Sequence, residues 1–81
     1  MIHEGQLTSL RPGQTAVVCG LDTVGEMRRR LQDLGLIRGT AVQCLEKSPL
    51  GDPTAYRIRG TVIALRKRDA ASVRIRQEER I

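Results

Sequence analysis

Arginine supplies most of the chemical potential of this chain. Arg28, Arg29 and Arg30 fall on one turn of an expected helix, Arg57 and Arg59 alternate along one expected strand, and Arg74 and Arg76 along another. Arg66, Lys67 and Arg68 form a further basic run. A guanidinium stays charged and presents a fork of N–H donors, so these groups recognise carboxylates and phosphates rather than move protons. The residues that commonly do catalysis are sparse. His3 is the only histidine, no Ser or Cys sits in a nucleophile elbow, and no pair of carboxylates is framed by apolar residues. Neither Gly-x-Gly-x-x-Gly nor Gly-x-x-x-x-Gly-Lys occurs. The expectation is a protein that is not an enzyme, with no cofactor and no small-molecule substrate.

Glu26 lies four residues before Arg30 and Asp33 three after it, a spacing that predicts a surface ion pair at Arg30 and leaves Arg28 and Arg29 free. Those two are candidates for contact with a partner, although an ordinary solvated helix face carries the same residues. The second candidate is the loop of residues 48–53, Ser-Pro-Leu-Gly-Asp-Pro, in which two prolines bracket a glycine. The prolines stiffen a segment that projects Leu50, Gly51, Asp52 and Pro53. Partner contact is one use of such a loop; a tight connection whose Leu50 covers one end of the fold is the other.

No metal site is expected. Zinc takes about four ligands, and the chain offers Cys19, Cys44 and His3 far apart in sequence. Both cysteines sit in apolar runs and read as reduced, buried thiols, with a Cys19–Cys44 pairing across neighbouring strands left open.

The elements that must position these groups follow from local pattern. Arg11-Pro12-Gly13-Gln14 is a turn before Thr15–Leu21, whose β-branched content predicts a strand. Thr23 and Glu26 have capping-box spacing, and Val24, Met27, Leu31 and Leu34 recur at steps of three and four. Together they predict an amphipathic helix of about three turns, closed by Gly35 in a left-handed conformation with Leu36 packing back on Leu31. Residues 40–47, 56–59, 61–65 and 73–76 read as further strands, and residues 66–72 as one tight helical turn. If Tyr56 and Ile58 face inward, Arg57 and Arg59 face out, and Arg74 and Arg76 do likewise, giving a basic sheet face. The expected architecture is mainly β: a small curled barrel of five strands, one α-helix inserted after the first strand, and a short helical turn before the last.

Length allows a single domain over residues 1–81, with a packed part of about 7–76 and a frayed tail at 77–81. No apolar run approaches the roughly 20 residues of a membrane span, and Met1-Ile2-His3-Glu4-Gly5 lacks the pattern of a signal peptide, so a cytoplasmic protein without direct membrane insertion is expected. The formal charge of +5 is uneven. Residues 1–40 hold five basic against four acidic side chains and residues 41–81 nine against five, which fits an acidic partner, an anionic surface or nucleic acid. Tyr56 is the only aromatic residue, so the stacking platforms of RNA-recognition and single-strand-binding folds cannot be built, and nucleic acid is disfavoured.

Read in order, five segments closely resemble the FeoA family: Leu7-x-x-Leu10-x-x-Gly13; Arg30-Leu31-x-Asp33-Leu34-Gly35-Leu36-x-x-Gly39-Thr40; Pro49-Leu50-Gly51-Asp52-Pro53; Tyr56-x-Ile58-Arg59-Gly60; and Ala64-Leu65-Arg66-Lys67. The likeness runs from about Leu7 to Arg76, with Arg38 where the family often has proline. The resemblance implies a five-stranded SH3-like barrel and a cytosolic accessory role in bacterial ferrous-iron uptake. It also implies a partner, the membrane permease FeoB with its GTPase domain, through which the protein would sit peripherally at the inner membrane. On the residues alone, an adaptor with a stiff loop and a basic face is supported. Arg28 and Arg29, with Leu50 to Pro53, are the expected contact with the cytosolic part of that permease. The alternatives are an SH3-like regulatory module of iron-dependent-repressor type, a basic barrel that binds nucleic acid, and a metal chaperone using Cys19, Cys44 or His3.

Overall fold

Alternation of buried and exposed side chains shapes the middle of the chain. Ala16 and Val18, Val42 and Cys44, Tyr56 and Ile58, and Val73 and Ile75 are all buried, each pair spaced two apart on its own strand. In a computed structural model describing residues 2–78, the elements are β1 (Ile2–Gln6), a 3₁₀ turn (Leu7–Ser9), β2 (Thr15–Leu21), α1 (Gly25–Asp33), β3 (Ala41–Lys47), β4 (Thr54–Ile58), β5 (Thr61–Leu65), α2 (Lys67–Ala70) and β6 (Val73–Glu78). The strands form one antiparallel sheet in the order β1-β6-β2-β3-β4-β5. Leu65 from one edge strand and Ile75 from near the other belong to a single core, so the sheet curls around it. Leu7, Leu10, Leu31 and Ala70 fill that core from the turns and helices.

This is the mainly β fold expected, with α1 following the strand at residues 15–21 and a helical turn before the last strand. All five expected strands are present, and β1 adds a sixth. Every residue of β1 is exposed, so no apolar alternation marks it; backbone pairing with β6, from Ile2↔Glu78 to Gln6↔Arg74, holds it in place. The same pairing carries β6 through Gln77 and Glu78, which the sequence pattern assigned to a frayed tail. Residues 79–81 of that tail lie outside the described residues.

Helix α1 ends as its sequence dictates. Gly35 has φ +102°, its N–H donates to Gln32 O at 2.9 Å, and the Leu36 N–H donates to Leu31 O at 3.0 Å, the paired bonds of a Schellman cap. Leu31 and Leu36 are both buried. The start differs from expectation. Val24 is the N-cap and Glu26 the second helical residue, one position too early for a capping box, and no side chain caps the end. Gly25 enters the helix at φ +69°, and Val24, expected on the apolar stripe, is 84% exposed. The buried stripe is Leu31, with Met27 and Leu34 partly buried against the core.

Candidate functional site

The loop of residues 48–53 joins β3 to β4 and is closed by its own backbone. The Gly51 N–H donates to Ser48 O at 2.8 Å and the Ser48 N–H to Pro53 O at 3.1 Å. Asp52 turns toward α2, its Oδ1 accepting a hydrogen bond from the Lys67 N–H at 2.8 Å. A carboxylate there satisfies one of the N–H groups that a helix start leaves open. Leu50 points away and is 94% exposed, so it does not cover an end of the barrel.

Behind this loop lies a cavity of about 250 Å³ lined by Thr8, Lys47, Gly51, Thr54, Tyr56 and Lys67. Burial pushes the Tyr56 phenol up to about 12; the neighbouring Cys44 adds to the rise and a hydrogen bond with Thr54 opposes it. Burial also raises the Cys44 thiol, with Lys47 acting against it. Both groups stay neutral near neutral pH, as core groups should.

Arg28 and Arg29 are exposed on α1, as expected. Arg28 Nη1 donates to Leu21 O at 3.3 Å, and Arg29 lies beside Glu26, Arg30, Asp33 and Leu34 in a shallow cavity. Among the described residues, Arg30 makes no ion pair with Glu26 or Asp33. It also lines a cavity of about 430 Å³ with Arg66, Arg68 and Asp69, where β5 and α2 meet α1. The loop and Arg28 do not converge on one pocket. Gly51 lines the cavity bounded by the 3₁₀ turn and α2, whereas Arg28 lines a cavity bounded by β2 and β6.

The expected basic sheet face is divided. Arg57 and Arg59 do face out around β4, and Arg74 and Arg76 on β6, but β2 and β3 lie between. Three inter-strand steps separate β4 from β6, roughly 14 Å measured along the curled sheet. Arg74 is bound to Asp22 at 2.9 Å, and Arg76 stands opposite Glu4. Cys19 and Cys44 are free thiols; Cys44 is buried near the start of β2, its N–H on Gln14 O, while Cys19 lies toward the far end of that strand. Among the described residues, no group of three or more His, Cys, Asp or Glu side chains is placed to hold a metal ion. No helix among them is long and apolar enough to cross a membrane.

One grouping escaped the sequence pattern: Arg28, Arg38 and Arg74 line the same cavity, beside Cys19 and Gly20. Gly20 inside an otherwise apolar strand was the available signal, since a lone strand glycine marks a bulge or a close approach.

A curled antiparallel sheet around one small core, with a helix inserted between two of its strands, defines a small SH3-like barrel protein. The chain belongs to the FeoA domain family, whose sequence model matches residues 5–77. It is 31% identical over 70 residues to the Fe(2+) transport protein A/Fe(2+) transporter FeoB fusion protein of Porphyromonas gingivalis, covering 86% of this chain and 8% of that one. This chain thus spans a small part of that relative's length. The NMR structure of a FeoA-like protein from Clostridium acetobutylicum matches with a TM-score of 0.83 at 32% identity, over 93% of this chain and 87% of that one. A crystal structure of Stenotrophomonas maltophilia FeoA complexed with zinc, described as a prokaryotic SH3 domain protein, matches with a TM-score of 0.77 at 30% identity. That match covers 86% of this chain and 87% of the other.

Proposed function

We propose that this protein is a non-enzymatic accessory factor of a ferrous-iron uptake system, and that it docks on the cytosolic part of a FeoB-type permease. The observation that carries this reading is the Porphyromonas gingivalis relative, in which a sequence similar to nearly the whole of this chain is joined to FeoB in one polypeptide. Covalent joining raises the effective concentration of one module at the other, an arrangement that serves modules which act together. Leu50 in the loop of residues 48–53 and the exposed Arg28 and Arg29 of α1 form the docking surface. They supply an apolar anchor and a charge fringe that steers an acidic partner. Because the loop and Arg28 line different cavities, the partner must contact two separate patches.

The test is calorimetry of the full chain with the isolated cytosolic domain of a FeoB-type permease. Leu50→Glu and the double variant Arg28→Glu, Arg29→Glu are each expected to weaken binding by about tenfold or more, the loss typical of a central contact. Well-folded variants that bind as tightly as the parent would remove this surface. Absence of binding by the parent would remove the partner.

A further inference from the structure

Strand β2 is irregular where it meets β6. Val18 pairs with Ile75 and Gly20 with Arg74, so Cys19 is an extra residue in the ladder, a β-bulge. Bulges re-aim side chains and gather beside functional sites. This one places Gly20 directly beneath the Arg74 guanidinium. A β-carbon at position 20 would run into Arg74 Nη2 and come within 2.9 Å of its Cζ, so the side chain lies where only glycine leaves room.

Three arginines from three elements then line one cavity of about 350 Å³: Arg28 from α1, Arg38 from the turn before β3, and Arg74 from β6. Two of them are anchored from behind. Arg74 Nε donates to Asp22 Oδ1 at 2.9 Å, and the Asp22 N–H is itself bound to Ser72 O at 2.6 Å. Arg28 Nη1 donates to Leu21 O at 3.3 Å. Each anchor uses one of a guanidinium's five N–H groups and leaves the others for a ligand. Among the described residues, Arg38 has no carboxylate partner.

The charge and the directions of approach narrow the ligand. Asp22 is the one carboxylate bound to the trio among the described residues, so about two positive charges stay uncompensated, which matches the roughly −1.5 to −2 of a phosphate monoester. A carboxylate offers its acceptors in one plane, whereas forks arriving from a helix, a turn and a strand suit a tetrahedral anion with acceptors in several directions. Leu21 and Ile37 add apolar wall to the same cavity, where an ester group would rest.

We propose that this cavity binds a phosphate group, free or as a monoester, between Arg28, Arg38 and Arg74. The site shares Arg28 with the proposed docking surface, but phosphate binding is measured on this chain alone and does not depend on permease docking. The test is titration of the full chain with inorganic phosphate, phenyl phosphate and acetate at constant low ionic strength, followed through backbone amide NMR shifts. Phosphate is expected to give saturable shifts centred on Cys19, Gly20 and Arg38, with acetate weaker by about tenfold. Tighter binding of phenyl phosphate assigns the site to a monoester, and equal binding assigns it to the free anion; both support the site. Arg38→Ala, in an exposed turn, and Arg74→Ala should each weaken phosphate by about tenfold, and Gly20→Ala should do so by displacing Arg74. Arg57→Ala, on β4 and outside the cavity, should stay within about twofold. Shifts that never saturate, or equal losses in the Arg57 and Arg38 variants, would show surface charge alone and overturn the proposal.

Discussion

Asp52 and Lys67 are joined across the fold: Asp52 Oδ1 accepts the Lys67 backbone N–H at 2.8 Å and so ties the loop of residues 48–53 to the first turn of α2. Together with the backbone bonds from Gly51 to Ser48 and from Ser48 to Pro53, this bond holds a loop that presents Leu50 to solvent. Asp52→Ala should cost about 1 kcal/mol, as loss of a helix-start acceptor does. Urea unfolding checks it. Leu50→Ala, which removes a side chain 94% exposed, should leave the midpoint unchanged. Equal losses in the two variants would mean that the bond contributes nothing particular.

Gly35 is held by conformation and by space together. At φ +102° a side chain is strained, and a β-carbon would sit 3.0 Å from Ile58 Cγ2. Gly13 has a similar φ of +91° with open space around it. Gly13→Ala should therefore cost about 1 kcal/mol through backbone strain alone, and Gly35→Ala roughly 2 to 3 kcal/mol once crowding against Ile58 is added. The ordering of the two denaturation midpoints decides the point.

Tyr56 makes stability depend on alkaline pH. The folded phenol is pushed up to about 12, whereas an unfolded tyrosine ionises near ~10, so between these values the folded state holds a proton that the unfolded state has lost. Its contribution is complete below about pH 10 and disappears as pH rises toward 12, amounting to about 2 kcal/mol by the end. Tyr56→Phe lacks that term. Its stability should fall less than the parent's between about pH 9 and pH 11.5, and parallel curves would contradict the assignment.

The two thiols should separate by reactivity. Cys19 is half-buried at the β2 bulge; Cys44 is fully buried, and burial raises its pKa. Since the thiolate is the reactive form, an aromatic disulfide reagent should label one thiol of the folded protein quickly and the second only after denaturant is added. Mass mapping should place the early label on Cys19. Early labelling of Cys44 would mean that the core opens far more readily than its packing indicates.

Local pattern made some elements legible and left others dark, for reasons visible in particular residues. The end of α1 could be read because a Schellman cap involves only neighbours: Leu31, Gln32, Gly35 and Leu36. Tyr56 and Ile58 could be placed inward because a strand with one buried face alternates. Val24 misled, since spacing alone cannot tell a helical residue from the N-cap before it, and Gly25 at φ +69° sets that boundary.

Strand β1 lay beyond such reading altogether. Its side chains are all exposed, and its stability comes from backbone bonds to β6 at the opposite end of the chain. The loop of residues 48–53 was recognisable as rigid, but the bond from Asp52 to Lys67 was not, because it depends on where α2 comes to rest. The same holds for Arg28, Arg38 and Arg74. Composition and alternation announce arginines and the faces they take; folding alone brings a helix, a turn and a strand around one cavity, because that convergence depends on contacts between residues far apart in sequence.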